Sequence, residues 1–324
     1  MEYIVENGLP PATLAPQLAQ ALLEIRPDLP LILGKFMATE THISAKTLGC
    51  TSLEAHLMGL CGWSPALSQT PGQALAAWHI GVTESKAPVW AGQMCATQIG
   101  TSAATLIPWR LLQVSDADAQ ALCQAALPSF GKPSDPIWVE AMSPHTWRIH
   151  APFAQLRHTI SPNALTGQSI AGWWPDDDVW LAWRRKLNEI QMVWHNHPVN
   201  EARLENGLPA VNGVWLYGGA QGWSSKSLDE STQVINSLQP HAETSDWSGW
   251  LKTWVAEVLP LFENHLSAHT NKHASQTSAY AITLTGADRL VTLKPTHFST
   301  MHWFKRLAQP FKKNDWSLWW HNPS

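Results

Sequence analysis

The residues best suited to chemistry fall into three groups. His265, His269 and His273 are spaced four apart, so on one continuous helix they share a face, where neutral imidazoles a turn apart can chelate zinc, copper or nickel. No Glu follows His265 as in an HExxH motif, and the surrounding Ser, Thr and Asn favour a polar segment over a resident metal. His195 and His197 form an HxH pair that could ligate only from extended backbone, which Pro198 favours just there. The third group centres on Arg203, with Asn200, Asn212 and the pair Gly218 and Gly219. A guanidinium fork can take a carboxylate or phosphate through two hydrogen bonds, and a strand closing in glycines admits a ligand or another backbone. The competing reading is structural: the two Asn satisfy loop backbone, Arg203 pairs with Glu201 or a similar acid, and the glycines only turn the chain.

Other signatures are absent. No GxSxG elbow, phosphate-binding P-loop or GxGxxG fingerprint occurs, and Ser224 and Ser225 follow Gln-Gly-Trp in a context unlike a nucleophile elbow. Cys50, Cys61, Cys95 and Cys123 form no CxxC pair or zinc spacing, which points to reduced, buried thiols rather than a disulfide framework. The acidic triplet Asp176, Asp177 and Asp178 sits where carboxylates favour a helix N-terminus, which explains it without a metal.

These residues must be positioned by the following elements. Ala12 to Ile25 has helical apolar spacing and is stopped by Pro27 and Pro30. Thr51 with Glu54, and Ser115 with Asp118, are capping-box patterns that begin two further helices. Trp78 to Thr83 and Thr105 to Leu112 are β-prone, and Ile137 to Met142 with Thr146 to His150 form a hairpin. Asp176 to His195 predicts a helix with the apolar stripe Trp180, Trp183, Leu187, Ile190 and Trp194. Val211 to Tyr217 predicts a buried strand. Leu228 to Leu238 and Trp247 to Ala268 predict helices, followed by strands at Tyr280 to Leu284 and Arg289 to Leu293. The resulting division is a helical segment over 1–70, an α+β module over 71–151 and an α/β segment over 152–324.

Composition bounds the function. The 324 residues are 44% hydrophobic, enough for a substantial core, and carry a net charge of −4, so no positive field draws the chain to nucleic acid. Lys305, Arg306, Lys312 and Lys313 among Trp303, Trp316, Trp319 and Trp320 make the last stretch locally basic and aromatic, a pattern that a charged edge strand explains better than base stacking. No apolar run approaches membrane-spanning length, and Glu2 and Glu6 without a basic region argue against a secretory leader, so a cytoplasmic location is expected. Charged residues are only 14%, against roughly 25% in ordinary domains, and Trp numbers 20. Most of the Trp belong to a core, while some could line a cleft or an exposed surface that binds a protein partner.

One stretch carries a family resemblance. Leu187 to Ala220 joins His197, Pro198, Asn200, Arg203, Gly207, Pro209, Asn212 and Gly219 in a fixed order that resembles the central segment of archaeal-type cofactor-independent phosphoglycerate mutases. It is closer still to the bacterial RpfE-type regulatory proteins. Leu75 to Ala151 is more weakly similar to the α+β module those mutases insert into an alkaline-phosphatase-like core. The resemblance implies a mixed α/β fold, a partial phosphoglycerate-mutase-like scaffold with a small α+β module. It also implies two divalent metals and a phosphoryl-carrying Ser, for which no Asp-Gly-like opening motif and no Asp-to-His cluster after Ala220 is present.

The expected function is therefore a non-catalytic regulatory or ligand-binding protein. Its ligand set is His197, Asn200, Arg203, Asn212, Gly218 and Gly219, with no catalytic residue, metal or cofactor assigned. The expected ligand is a small phosphorylated or carboxylated metabolite, at a cleft beyond the carboxyl end of the 211–217 strand. A metal-dependent phosphotransferase or phosphatase with scattered ligands, and a protein-interaction module using exposed Trp, are the alternatives.

Overall fold

The structure is a computed structural model that describes residues 1–65, 69–100, 103–151, 159–173, 180–270, 280–296 and 316–321, with the backbone alone for 268–270 and 321. The acidic triplet, His273 and the basic residues of the last stretch lie outside these residues, as does the side chain of His269. Contacts group residues 1–44 with 228–324 in one unit and residues 45–227 in another. Both sequence divisions, after residues 70 and 151, fall inside the second unit.

The first unit opens with β1 (Glu2–Val5), α1 (Ala15–Ile25), α2 (Leu29–Leu33) and β2 (Phe36–His42). The chain then builds the second unit from α3 (Ala45–Leu48), α4 (Ser52–Leu60), α5 (Pro71–His79), β3 (Val89–Ile99), β4 (Ala104–Pro108), α6 (Trp109–Leu112) and α7 (Asp116–Ala126). That unit continues through β5 (Trp138–Ala141), β6 (Thr146–His150), α8 (Leu181–His195), α9 (Pro198–Glu205) and β7 (Gly213–Ala220). The return to the first unit supplies β8 (Thr232–Ile235), α10 (Gln239–Glu243) and α11 (Trp247–Thr253). A π-helical turn at Trp254–Val258 leads into α12 (Leu259–Thr270), β9 (Ala281–Thr285), β10 (Arg289–Pro295) and α13 (Trp316–His321). The protein is thus mixed α/β, as expected.

In the first unit the strand order is β2, β10, β9, β1, β8, with β1 parallel to both β8 and β9 and β10 antiparallel to its neighbours. Ile282, Leu284, Val291 and Leu293 from this sheet meet Trp250, Trp254, Phe262 and Trp320 in one core. Each of three indole N–H groups there reaches a carbonyl in the segment following β1: Trp250 to Asn7 at 2.9 Å, Trp254 to Gly8 at 3.2 Å and Trp320 to Ala15 at 3.0 Å. A buried indole needs such a partner, and these three fix both the loop after β1, at Asn7 and Gly8, and the start of α1, at Ala15.

The second unit is organised on β3, the longest strand, which pairs antiparallel with β6, β4 and β7, while β5 extends β6. Helix α4 begins as expected, with Thr51 and Glu54 exchanging backbone and side-chain hydrogen bonds. The Glu54 carboxylate also accepts from Ser161 Oγ at 2.7 Å and Asn163 Nδ2 at 3.0 Å, so this buried anion is satisfied on several sides. Helix α8 buries the expected stripe of Trp183, Leu187, Ile190 and Trp194.

Several segments depart from their expected structure. The stretch 1–70 is not wholly helical, since β1 and β2 are held by pairing with distant β8, β9 and β10. The β-prone run from Thr105 leaves the sheet after Pro108, and Trp109–Leu112 is the short helix α6. Residues 78–83 are not a strand: Trp78 and His79 close α5, which Pro71 and the Gln73 side chain, accepting from Thr70 N–H at 2.8 Å, start upstream. Residues 228–238 are not a helix, because Thr232–Ile235 pairs in parallel with β1 and the ladder outweighs the helical spacing of the flanking leucines. Every described Trp is buried or half-buried, so among the described residues the exposed Trp surface is absent.

Strand β7 ends in a bulge. Val89 pairs with Ala220 and Trp90 with Gly218, which leaves Gly219 as the extra residue. Gly218 and Gly219 have φ of 109° and 99°. A Cβ on Gly218 would meet Ala76 and the Val89 carbonyl, and one on Gly219 would meet the Trp90 indole. Substituting Val for Gly219 therefore combines backbone strain with overpacking and should cost about 2–6 kcal/mol, the two contributions being about 1–3 each. Urea unfolding of Gly219→Val beside Gly59→Val, whose Cβ would meet nothing and whose φ is not positive, checks this: the first should shift the midpoint far more than the second.

Candidate functional site

The segment between α8 and β7 can be built residue by residue. His197 caps α9, its Nδ1 accepting from Val199 N–H at 3.2 Å, and Pro198 occupies the first turn, where its missing N–H costs nothing. Asn200, only 1% exposed, behaves as a detached piece of main chain. Its Oδ1 accepts from Val211 N–H at 2.9 Å while its Nδ2 donates to the Val211 and Trp194 carbonyls at 2.8 and 2.9 Å. Arg203 donates to three carbonyls, of Pro209, Gln113 and Leu112, at 3.0, 3.3 and 2.6 Å. Gly207, with φ of 71°, ends α9 in a Schellman motif, Leu208 N–H bonding the Arg203 carbonyl and Gly207 N–H that of Leu204.

Asn212 continues the same device. Its Oδ1 accepts from Thr97 N–H at 2.7 Å and its Nδ2 donates to the Thr97 carbonyl at 2.9 Å. The expected partners for Asn212 lay in the 197–209 loop; they are on β3 instead, and it is Asn200 that binds that loop to the strand. Strand β7 begins at Gly213 rather than Val211, and the two residues before it are held by these side-chain amides together with one main-chain bond, Asn212 N–H to the Cys95 carbonyl at 3.2 Å.

The six expected ligand residues do not converge. His197, Asn200, Arg203 and Asn212 gather around the amino end of β7, whereas Gly218 and Gly219 lie at its other end, roughly 20 Å away at about 3.3 Å per residue. At the carboxyl end of β7 the space beside the two glycines is taken by Ala76, the Val89 carbonyl and the Trp90 indole. Arg203 directs its fork at main chain rather than at an anion, and burial lowers its pKa from the ordinary guanidinium value.

A cleft of about 370 Å³ opens instead at the amino end of β7, lined by Cys95, Thr97, Leu187, Gln191, Gly213 and Trp215 among others, none of them charged. Gln191 also borders a shallower groove of about 450 Å³ on α8 with Met192, His195 and Asn196. Behind the cleft, Trp215 Nε1 donates to the Ile160 carbonyl at 2.9 Å, which locks the indole in place. Burial pushes the Cys95 thiol up to about 12, so it is a neutral, apolar wall rather than a nucleophile. Sequence reasoning missed the lining residues. The available signal was Gly213, a glycine opening a strand beside a polar Asn, where space for close approach is usual.

Among the described residues no group of three or more His, Cys, Asp or Glu side chains is placed to hold a metal ion. His265 is buried and stacks on Tyr280 with ring centroids 3.9 Å apart. No described helix is long and apolar enough to cross a membrane.

No protein-family model and no curated protein matches the chain. Among solved structures it is similar to a cofactor-independent phosphoglycerate mutase from Thermoplasma acidophilum, at 14% identity and a TM-score of 0.32, covering 92% of this chain and 90% of that one. It is also similar to the PH0037 protein from Pyrococcus horikoshii, at 13% identity and a TM-score of 0.42, covering 91% of this chain and 86% of that one.

The amide device makes a specific demand. Asn200→Ala leaves the Val211 N–H and carbonyl without the amide, while the Trp194 carbonyl keeps His197 N–H, and should destabilise by about 2–6 kcal/mol, each of the two orphaned groups costing about 1–3. Asn206→Ala, which removes an exposed amide bonded to the Ala202 carbonyl, should cost less than about 0.5 kcal/mol. Chemical denaturation of the two variants checks the contrast.

Proposed function

We propose that this chain is a regulatory or ligand-binding protein on a phosphoglycerate-mutase-like scaffold, non-catalytic at the cleft beside β7. The carrying observation is that the motif residues are consumed in building the wall of that cleft. Asn200 holds Val211, Arg203 holds the chain at Pro209, and Asn212 holds Thr97, so together they set the position of Gly213, Val214 and Trp215. His197, Asn200, Arg203 and Asn212 thus frame the ligand from behind rather than touching it. The resemblance of Leu187 to Ala220 to the mutases and to the RpfE-type regulatory proteins supports the scaffold half of the reading.

The lining supports a narrower ligand class than the phosphorylated or carboxylated metabolite suggested by Arg203. With no charged side chain on the wall, an anion entering this cleft would lose hydration without gaining a partner, whereas an uncharged, largely apolar molecule gains by burial. Thr97 and Gln191 offer the polar groups that would orient it.

A ligand that binds only the folded state raises the melting temperature. Thermal-shift measurements with neutral aromatic and aliphatic fragments should give stabilising hits, and matched phosphorylated or carboxylated compounds should give none. Ala171→Trp, which places an indole in the cleft from an exposed loop position, should abolish the hits while the free protein melts within a few degrees of the parent. Hits that survive this substitution, or shifts confined to the anionic set, would place the ligand elsewhere.

A further inference from the structure

A second array of reactive groups lies in the other unit, between α10 and α11. His241 Nδ1 is 2.9 Å from Asp246 Oδ2, and His241 Nε2 is 3.2 Å from Thr253 Oγ1. Asp246 Oδ1 meanwhile accepts from Gly249 N–H at 2.9 Å. These contacts fix the protons. Asp246 is held below the usual carboxylate range, first by Gly249 N–H and then by His241, so it is an acceptor only. Nδ1 therefore carries a hydrogen, and in the neutral imidazole the Nε2 lone pair faces the Thr253 hydroxyl, which donates to it. A carboxylate orienting an imidazole whose free nitrogen faces a hydroxyl is the arrangement that activates an oxygen nucleophile.

Three features around the array are specific to it. A Cβ on Gly249 would strike both His241 Nδ1 and Asp246 Oδ2, so only glycine permits this His and this Asp to meet. Ser245, immediately before Asp246, is a non-glycine residue with φ of 56°, a conformation that persists where its surroundings demand it. The π-helical turn begins directly after Thr253, and such turns recur at functional sites. The topology agrees. His241 follows the carboxyl end of β8, and Trp250 of α11 bonds the Asn7 carbonyl just past the carboxyl end of β1. The array therefore stands on the side of parallel strands where α/β proteins place ligands.

We infer that Thr253, His241 and Asp246 form a nucleophilic site that accepts the acyl group of small, uncharged carboxylic esters. As Thr253 Oγ bonds to the ester carbonyl carbon, its proton passes to His241 Nε2. The carbon–oxygen bond to the leaving alcohol then breaks, and the alcohol departs with that proton. Water repeats the sequence on the threonyl ester, releasing the carboxylic acid and restoring the hydroxyl. The ionised Asp246 stabilises the imidazolium and disfavours anionic esters. Thr253 and His241 are half-buried and Asp246 is exposed, so the array opens to solvent and a small acyl donor can reach it.

Reaction of the full chain with p-nitrophenyl acetate tests the site. The expected result is a burst of about one equivalent of p-nitrophenolate, as acyl-enzyme accumulation requires, with a single acetyl group mapped to Thr253 by peptide mass spectrometry. His241→Asn should slow acetylation of residue 253 at least ten-fold, Thr253→Ala should remove the adduct, and Thr253→Ser should retain it. A brace joining α10 to α11 would need the same hydrogen bonds but would leave the hydroxyl unreactive. Melting temperatures identify any variant that fails to fold, and Thr253→Ser carries the test if Thr253→Ala does. No adduct at residue 253 in the folded protein, adducts only on lysines, or an undiminished rate in folded His241→Asn would overturn the inference.

Discussion

The second unit depends on keeping its central ladder closed where the main chain stops supplying it. Strands β3 and β7 pair from Gly213 to the bulge at Gly219, and just before Gly213 the main chain supplies one more bond, Asn212 N–H to the Cys95 carbonyl at 3.2 Å, after which side chains take over. An Asn side chain carries the donor and acceptor of a peptide group, and Asn200 and Asn212 present theirs to Val211 and Thr97 as a further strand would. Because both amides are saturated by backbone, the amino end of β7 is rigid without being filled, and a cleft survives beside it. Strand continuation would have brought more main chain into that space.

The same economy explains the unusual composition. The indoles point inward, as the core reading of most Trp expects, and use their single N–H to hold carbonyls of other segments: Trp194 that of Leu122 in α7, Trp215 that of Ile160 in a loop, Trp223 that of Ala74 in α5. Fully buried Arg289 does likewise, donating to the Trp320 carbonyl at 2.6 Å. Each such bond satisfies the buried donor and ties one segment to another, so polar groups can be covered by apolar surface. Trp provides packing area and a donor in one residue, which is why few charged groups suffice.

How much of this was legible in the sequence depends on the distance over which each choice is made. The Thr51 and Glu54 cap and the stripe of α8 are local and were evident. Trp78 to Thr83 was misassigned because its aromatic and β-branched residues suggest a strand, while the signals that start α5 lie upstream at Thr70, Pro71 and Gln73. Thr232–Ile235 is too short to reveal its period without β1 beside it. In the candidate site, His197 and Gly207 act within a few residues and could be anticipated as cap and stop. Arg203 and Asn212 could not, since their partners at Leu112, Gln113 and Thr97 are about a hundred positions away in sequence. An Arg beside two Asn reads equally as an anion fork or as a strut until those carbonyls are in place.

The location of the cleft turns on strand direction. The rule that ligands collect beyond the carboxyl ends of strands rests on parallel sheets, whose connections leave one side of the sheet with a common set of loops. Strand β7 runs antiparallel to β3, so its amino end and the carboxyl end of β3 lie together and the rule assigns neither a preference. What decides is which end the glycines close. At Gly218 and Gly219 the missing side chains are used to seat Ala76 and Trp90, and the space is consumed. At Gly213 the nearest atom to a would-be Cβ is Cys95 Sγ at 3.3 Å, and the remaining space is open to Leu187 and Gln191. The first unit is the one that holds parallel pairings, with β8 and β9 both parallel to β1, and among those three strands the rule regains its force. Two sheets in one chain thus obey different placement rules because their strand directions differ.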